Sequence, residues 1–271
     1  HLLIQYKDAA ELIPDKAKIG MFYAWIGLAL CQLEMYNEGY YYLKKSLAFG
    51  EEQRNDRVIG YASVFLIWNC GDLTKYDEAA IHGERALELS KKYQSDHIIY
   101  AVSRAGLATL NFNKGIGNPN LEIGRELIDH GNRHSDLRSV FVGRMCCGYG
   151  YFVKGKMELA IQSFLHAVEI SVDPFYRQWA SFWCGFCYLE MLQVPEAEKA
   201  LQEVISFDEH YGSKQLGTPG RSILGALLLS KGQLAYGLKM IQEAKSSWVK
   251  SERKAMFAFS DYNLGRIYAQ L

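Results

Sequence analysis

A short motif that recurs about every forty residues constrains the fold of this chain more than any other feature. Its clearest copy combines Gly148, Tyr151, Ala160, Phe164 and Ala167. The steps between successive copies are 40, 39, 42, 37, 40 and 40 residues. A period this regular indicates a repeat architecture, in which each repeat is one supersecondary unit that stacks on its neighbours. The copies are anchored at Gly27, Ile67, Gly106, Gly148, Gly185, Gly225 and Gly265.

Each period contains two apolar helical patterns separated by a break. In the fourth repeat Val142, Met145, Tyr149 and Phe152 step by 3, 4 and 3, which is one face of a helix. The sequence KGK at 154–156 ends that pattern, and a second stripe follows it. No stretch alternates with period two long enough for a strand, so the pattern predicts an all-α chain. Prolines at likely first helical turns mark further helix starts, at Asp173-Pro174, Val194-Pro195 and Thr218-Pro219.

The order of small and aromatic residues resembles the tetratricopeptide repeat family. The period is nearer forty than the usual ~34 residues, so the helices or turns should be longer. Arg144, Ser181 and Arg221 stand where that family has tryptophan, and the third repeat is degenerate, with GIGNPN at 115–120 predicted to be a loop. The skeleton of the family appears as Cys147, Gly148, Tyr151, Ala160, Phe164 and Ala167.

The resemblance implies a right-handed α-α superhelix of about six hairpins and a terminal helix, in a single domain over 1–271. The long period and the ending SDYNLGRIYAQL are also similar to the helical-repeat tails of large multidomain bacterial regulators. Those tails follow an ATPase module and often a nucleotide cyclase or a DNA-binding domain, so we expect a fragment of a longer protein. The predicted repeats are 21–50, 58–93, 98–132, 138–171, 176–210 and 219–248, with the terminal helix at 253–271.

Composition narrows the classes of partner. The 271 residues carry 30 basic and 30 acidic side chains, a formal net charge of zero, which argues against a nucleic-acid-binding surface. No apolar run approaches the length of a transmembrane helix, so no membrane partner is expected. The six cysteines fall in the predicted first helices, where they are interpreted as reduced, buried thiols of a cytoplasmic protein.

Three stretches have some features of chemical sites. Cys184 and Cys187 are spaced as half of a redox or zinc site, but no second pair follows at zinc-finger spacing. His130 and His134 lie one helical turn apart and could bind a metal with Asp136, although the glutamate of the metalloprotease motif is absent. GSKQLGTPGRS at 212–222 lacks the Lys-Ser/Thr ending of a phosphate-binding loop and is interpreted as a long turn between hairpins. The sequence therefore predicts no catalytic activity, no cofactor and no metal.

The resemblance also implies a binding surface. In the tetratricopeptide family, residues six and three before the glycine, and one and four after it, line the concave face. Here those positions are almost all apolar, and a large exposed apolar surface normally marks an interaction site. The alternative is that the superhelix is tight and that these side chains pack on each other. The predicted partner-binding residues are Tyr61, Trp68, Tyr100, Met145, Tyr149, Phe152, Trp179, Phe182, Phe186 and Tyr262.

Two functions from different classes are compatible with this surface. The first is a non-catalytic, regulatory interaction module for signal transduction that docks a protein segment or a sibling domain through its aromatic concave face. The second is a sensor that binds a small sugar or peptide in the interior of the superhelix. An enclosed pocket with converging polar groups would favour the sensor, and an open groove would favour docking. The aromatic patch of the fourth and fifth repeats is predicted to be the main contact surface.

Overall fold

The computed structural model describes residues 2–6, 9–256, 261 and 265, and these residues are arranged as helices and turns without a strand. The prediction of an all-α repeat fold is confirmed. A short helix α1 (Leu2–Gln5) and a 3-10 turn (Ala9–Leu12) precede six helical hairpins. The hairpins are α2 (Lys16–Gln32) with α3 (Tyr36–Glu52), α4 (Asp56–Asp72) with α5 (Tyr76–Ser90), α6 (Ser103–Asn113, after a π turn at Ile98–Val102) with α7 (Asn118–His134), α8 (Leu137–Val153) with α9 (Met157–Ile170), α10 (Pro174–Glu190) with α11 (Val194–Tyr211), and α12 (Gly217–Ser230) with α13 (Leu234–Ser251).

The first six anchors of the sequence repeat each lie in the first helix of a hairpin, and the seventh, Gly265, is helical. Most of the predicted terminal helix lies outside the described residues. Pro174, Pro195 and Pro219 all fall in the first turn of a helix, as expected for a residue whose missing N–H would have no intrahelical partner there.

Two glycine-rich stretches differ from the sequence prediction. The predicted loop GIGNPN is a loop only as far as Gly117, because Asn118, Pro119 and Asn120 form the first turn of α7. The predicted long turn at 212–222 ends at Leu216, and α12 begins at Gly217. In the second case the buried side chain of Asp208 accepts hydrogen bonds from the backbone N–H groups of Leu216 and Gly217. These bonds satisfy two of the donors that a helix start leaves open.

The turns inside the hairpins share one backbone conformation. The last residue of each turn has positive φ, and the backbone N–H of the residue after it donates to the carbonyl oxygen five residues earlier. Examples are the hydrogen bonds from Met35 to Leu30, at 2.9 Å, and from Lys75 to Cys70, at 2.8 Å. This is the Schellman arrangement of helix C-termini, which usually places glycine at the left-handed position. The six positive-φ residues repeat with the period of the sequence, at Glu34, Thr74, Gly115, Gly155, Leu192 and Gly232.

Close helix contacts explain the helical glycines. In the fourth hairpin, a Cβ on Gly148 would lie 2.3 Å from Cε1 of Phe164 on α9. In the last hairpin, a Cβ on Gly237 would lie 2.6 Å from the carbonyl oxygen of Gly225. Real Cβ atoms do not approach other atoms so closely, so each glycine lets two helices pack at short range. The repeated motif therefore specifies the packing of each hairpin.

The chain divides into two compact units. Unit 1 is His1–Leu110 together with Ser251–Arg253, and unit 2 is Asn111–Lys250 together with Lys254–Leu271. The core of unit 1 is formed largely by α4, which is buried on most of its sides, and the core of unit 2 includes buried faces of α10, α11 and α12. None of the helices within the described ranges is both long and apolar enough to cross a lipid bilayer.

Candidate interaction surfaces

The predicted aromatic patch of unit 2 is mostly buried. Met145 and Tyr149 on α8 are covered almost completely, and Phe182 and Phe186 on α10 are also buried. Only two of the six predicted residues, Phe152 and Trp179, keep part of their surface accessible, and both are half-buried. The ring of Trp179 lies near those of Phe141 and Tyr176, and both Trp179 and Phe152 pack against the core of unit 2.

Trp183 on α10 is the centre of the aromatic packing in unit 2. Its ring centroid lies 4.9 Å from that of Tyr149, 5.0 Å from that of Phe112, and 5.9 Å from that of Phe164, on which it stacks. Three members of this cluster, Phe112, Phe152 and Trp183, are half-buried and keep part of their surface accessible. We call these three residues the Trp183 surface. Its rings rest on the buried rings of Tyr149, Phe164, Phe182 and Phe186.

Unit 1 has its own aromatic cluster. Trp25 on α2 is 37% exposed, and its ring lies 5.7 Å from Tyr61 and 5.4 Å from Phe65 on α4. Tyr61 is buried, and its hydroxyl lies 3.4 Å from a carboxylate oxygen of Asp96. Trp25 therefore presents the accessible ring of this cluster.

The other two predicted residues of unit 1 differ in exposure. Trp68 is half-buried. Tyr100 is buried, and the guanidinium of Arg104 lies 4.1 Å from the centre of its ring, within the range of a cation–π interaction. The last predicted contact, Tyr262, lies outside the described residues.

Sequence reasoning missed the two most informative tryptophans for a common reason. Trp25 and Trp183 each stand two residues before the glycine anchor of their repeat, at Gly27 and Gly185. The family pattern names positions six and three before that glycine and one and four after it, so both tryptophans fell outside the predicted set. The signal that could have revealed them is the recurrence of a large ring at the same position of two repeats.

The cysteines lack the properties of reactive thiols. All six are free and buried. Burial raises the pKa of Cys184 to about 12 and raises the pKa of Cys187 still further. A thiol is nucleophilic and metal-binding as the thiolate, so these side chains act as small apolar groups at neutral pH.

The candidate metal ligands at the end of α7 and just before α8 are used in local structure. Asp136 caps α8 by accepting hydrogen bonds from the backbone N–H of Arg138 and the hydroxyl of Ser139, at 3.1 and 2.6 Å. His130 and His134 lie with ring centroids 4.3 Å apart, and Nδ1 of His134 is 2.9 Å from the carbonyl oxygen of His130. Within the described ranges, no group of three or more His, Cys, Asp or Glu side chains could hold a metal ion.

Two cavities of unit 2 are open to solvent and lie away from the Trp183 surface. One, of about 890 Å³, runs along α11 beside Phe207 and Tyr211. The other, of about 530 Å³, lies along α13 beside Lys239 and Lys250. No predicted partner-binding residue lines either cavity.

Comparison with known proteins supports the fold. No family model matches the sequence. No curated protein matches it either. Among solved structures, the chain is similar to a signal transduction ATPase with numerous domains (a STAND protein) that has a tetratricopeptide repeat sensor, from Pyrococcus horikoshii, at 17% identity and a TM-score of 0.51. The match covers 97% of this chain and 41% of that one. At this identity the likeness concerns the fold alone, and it shows that the chain has a tetratricopeptide-like helical-repeat fold.

Proposed function

We propose that this chain is a non-catalytic regulatory module that docks a protein segment through the Trp183 surface. The observation that carries this proposal is the half-buried set of Phe112, Phe152 and Trp183, whose accessible parts lie above a buried aromatic layer. Tryptophan and other aromatic residues dominate the binding energy of protein interfaces, particularly where surrounding side chains hold them in place. The ten residues predicted from the family pattern stay predictions, and the buried ones would act by supporting the exposed rings.

The packing beneath the surface favours tight binding. Trp183 contacts Tyr149 on α8 and Phe164 on α9, so its ring is held by two helices besides its own. A side chain that is already ordered loses little conformational entropy when a partner covers it. The indole can also bury a large apolar area while its N–H remains able to form a hydrogen bond.

The similar archaeal protein suggests a regulatory setting. Its tetratricopeptide repeat region is described as a sensor within a signal transduction ATPase. We propose by analogy that this chain is a regulatory part of a cytoplasmic multidomain ATPase-type protein and that a segment of a partner or of a sibling domain binds to it. The raised thiol pKa values support a role without cysteine chemistry.

The proposal can be tested with selected peptides. A random peptide library displayed on phage is selected against the full chain, with counter-selection against the Trp183→Ala variant, and the recovered peptides are titrated by fluorescence anisotropy. We expect Trp183→Ala and Phe152→Ala to weaken binding by roughly 1–4 kcal/mol each, the usual range for interface hot spots. Both variants are first checked for native helix content by circular dichroism.

The matched control is Tyr236→Ala, because Tyr236 is an exposed aromatic residue on α13, the second helix of its hairpin. Its replacement should leave the affinity unchanged. Recovery of no peptide that distinguishes the full chain from the folded Trp183→Ala variant would refute the docking function. A preference for free sugars over peptides, lost on the same substitutions, would instead support the sensor alternative.

A further inference from the structure

A buried charged cluster in unit 1 brings together residues from distant parts of the sequence. Arg253 is only 6% exposed, although arginine is almost never buried without a partner. Its Nε donates a hydrogen bond of 2.8 Å to Oδ1 of Asp72, 181 residues earlier in the chain. Its Nη1 lies 3.8 Å from Oε1 of Glu34, and its guanidinium lies 5.5 Å from the centre of the Tyr36 ring.

The side chains that surround Arg253, which we call the walls of the cluster, are Glu34, Tyr36 and Asp72, and they come from the ends of helices in the first two hairpins. Glu34 occupies the positive-φ position of the turn between α2 and α3, and Tyr36 is the first residue of α3. Asp72 is the last residue of α4. The side chain of Asn69 donates a hydrogen bond of 2.8 Å to the carbonyl oxygen of Tyr36, which ties the two hairpins together beneath the cluster. The hairpins thus position the walls by contacts that do not involve Arg253.

The chemistry of the walls suits a guanidinium group. Two carboxylates, both largely buried, face one arginine side chain, so the walls carry an excess of negative charge. The hydroxyl of Tyr36 is buried and makes no hydrogen bond with the described residues. A guanidinium can donate to two carboxylates at once and can lie near an aromatic ring, whereas an ammonium group provides only a compact point charge. Without a cation, two buried carboxylates would be left together at high cost.

We propose that Glu34, Tyr36 and Asp72 form an arginine-binding site, and that the segment Ser251–Arg253 of the same chain, which belongs to unit 1, is its ligand. Because the walls are held by α2, α3 and α4, the site persists when the segment leaves. The segment is supplied in cis, so its local concentration is high and an arginine-bearing competitor must be abundant to replace it. This inference is independent of the proposed docking function.

The first test measures amide hydrogen exchange in the full chain. Asp72→Asn keeps the shape of the side chain but removes its charge. It should speed the exchange of the amides of 251–253 by at least about tenfold, since a buried charged hydrogen bond is lost. Asp77→Asn, at an exposed position on α5, is the matched control and should leave that exchange unchanged. Equal exchange rates in the two variants would overturn the proposal.

The second test measures recognition of arginine directly. The full-length Arg253→Ala variant is heated with a millimolar acetylated, amidated peptide of the sequence SERKAM, or with the same peptide in which citrulline replaces arginine. A ligand that binds only the folded state raises the melting temperature. We expect the arginine peptide to restore part of the lost melting temperature and the neutral citrulline peptide to have no effect. An equal effect of the two peptides, or no effect of either, would contradict an arginine-binding site. If Arg253→Ala does not fold, the exchange experiment alone decides.

Discussion

Replacing Gly148 with alanine should destabilise the chain although alanine favours helices. A Cβ at this position would lie 2.3, 2.5 and 2.7 Å from three atoms of the Phe164 ring. That ring is fully buried and stacks on Trp183, so it cannot move aside easily. Overpacking a well-packed core costs typically ~1–3 kcal/mol, whereas the gain in helix propensity from glycine to alanine is ~0.5–1 kcal/mol. The net expectation is a loss of about 1–2 kcal/mol in the free energy of unfolding.

Gly71 provides the matched control. A Cβ there would lie 3.6 Å from Cδ2 of Leu110, which is ordinary van der Waals contact. Gly71→Ala should therefore keep the propensity gain and stabilise the chain by about 0.5 kcal/mol or slightly more. Both variants and the parent are compared by urea denaturation followed at the helix band of circular dichroism. If Gly148→Ala is as stable as Gly71→Ala, the close packing of Phe164 against α8 is wrong.

The remaining predictions concern a strained turn and two buried ionisable groups. Thr74 is β-branched and has a φ of 60°, so Thr74→Gly should stabilise the chain by up to about 1 kcal/mol. Equal stability of this variant and the parent in urea denaturation would contradict the prediction. Asp208→Ala should cost about 1–3 kcal/mol because two backbone donors at the start of α12 lose their acceptor. Asp208→Asn should reduce the free energy of unfolding by less, because asparagine keeps a hydrogen-bond acceptor. It also removes a carboxylate that is costly to bury, as the raised pKa of Asp208 indicates. Burial, together with Lys44, lowers the pKa of His82 although Glu78 opposes this shift. The unfolded state therefore binds the proton more tightly, and stability should fall as the pH drops below about 6.5. His82→Gln should flatten that part of the pH profile, and an unchanged profile would contradict the argument.

The helical repeat could be predicted because its determinants are local. The glycine anchors at Gly148 and Gly225 occupy helix contacts where any side chain would collide, so the packing is recorded in the sequence itself. The prolines in the first turns of α10 and α11 also allow the helix starts to be predicted, because proline lacks the N–H that a helix interior requires. Residue type and spacing were therefore sufficient for the order of the hairpins.

The turns and helix starts were less predictable. Thr74 and Leu192 adopt positive φ although neither residue type favours it, since the Schellman hydrogen bonds and the packing of the hairpins determine the backbone there. Asn118 and Asn120 belong to α7, where Pro119 serves as a helix start rather than as a loop residue. A Gly-Asn-Pro-Asn sequence is compatible with either, so local composition alone could not decide.

The candidate sites depend on contacts that a sequence does not display. Tyr149 is buried beside rings of other helices, including Trp183, which the family pattern does not name. The pairing of Arg253 with Asp72 joins residues 181 positions apart and follows no periodic rule. Position in a repeat predicts which face a residue occupies, but not how completely its neighbours cover it.

Photo-cross-linking tests the docking function most directly. A peptide selected on the full chain is synthesised with p-benzoylphenylalanine in place of one residue, irradiated in the complex, and the cross-linked site is mapped by mass spectrometry. The account predicts cross-links in unit 2 at exposed parts of α8 and α10, near Phe152 and Trp183. Cross-links confined to the second helices α9, α11 and α13 would contradict it.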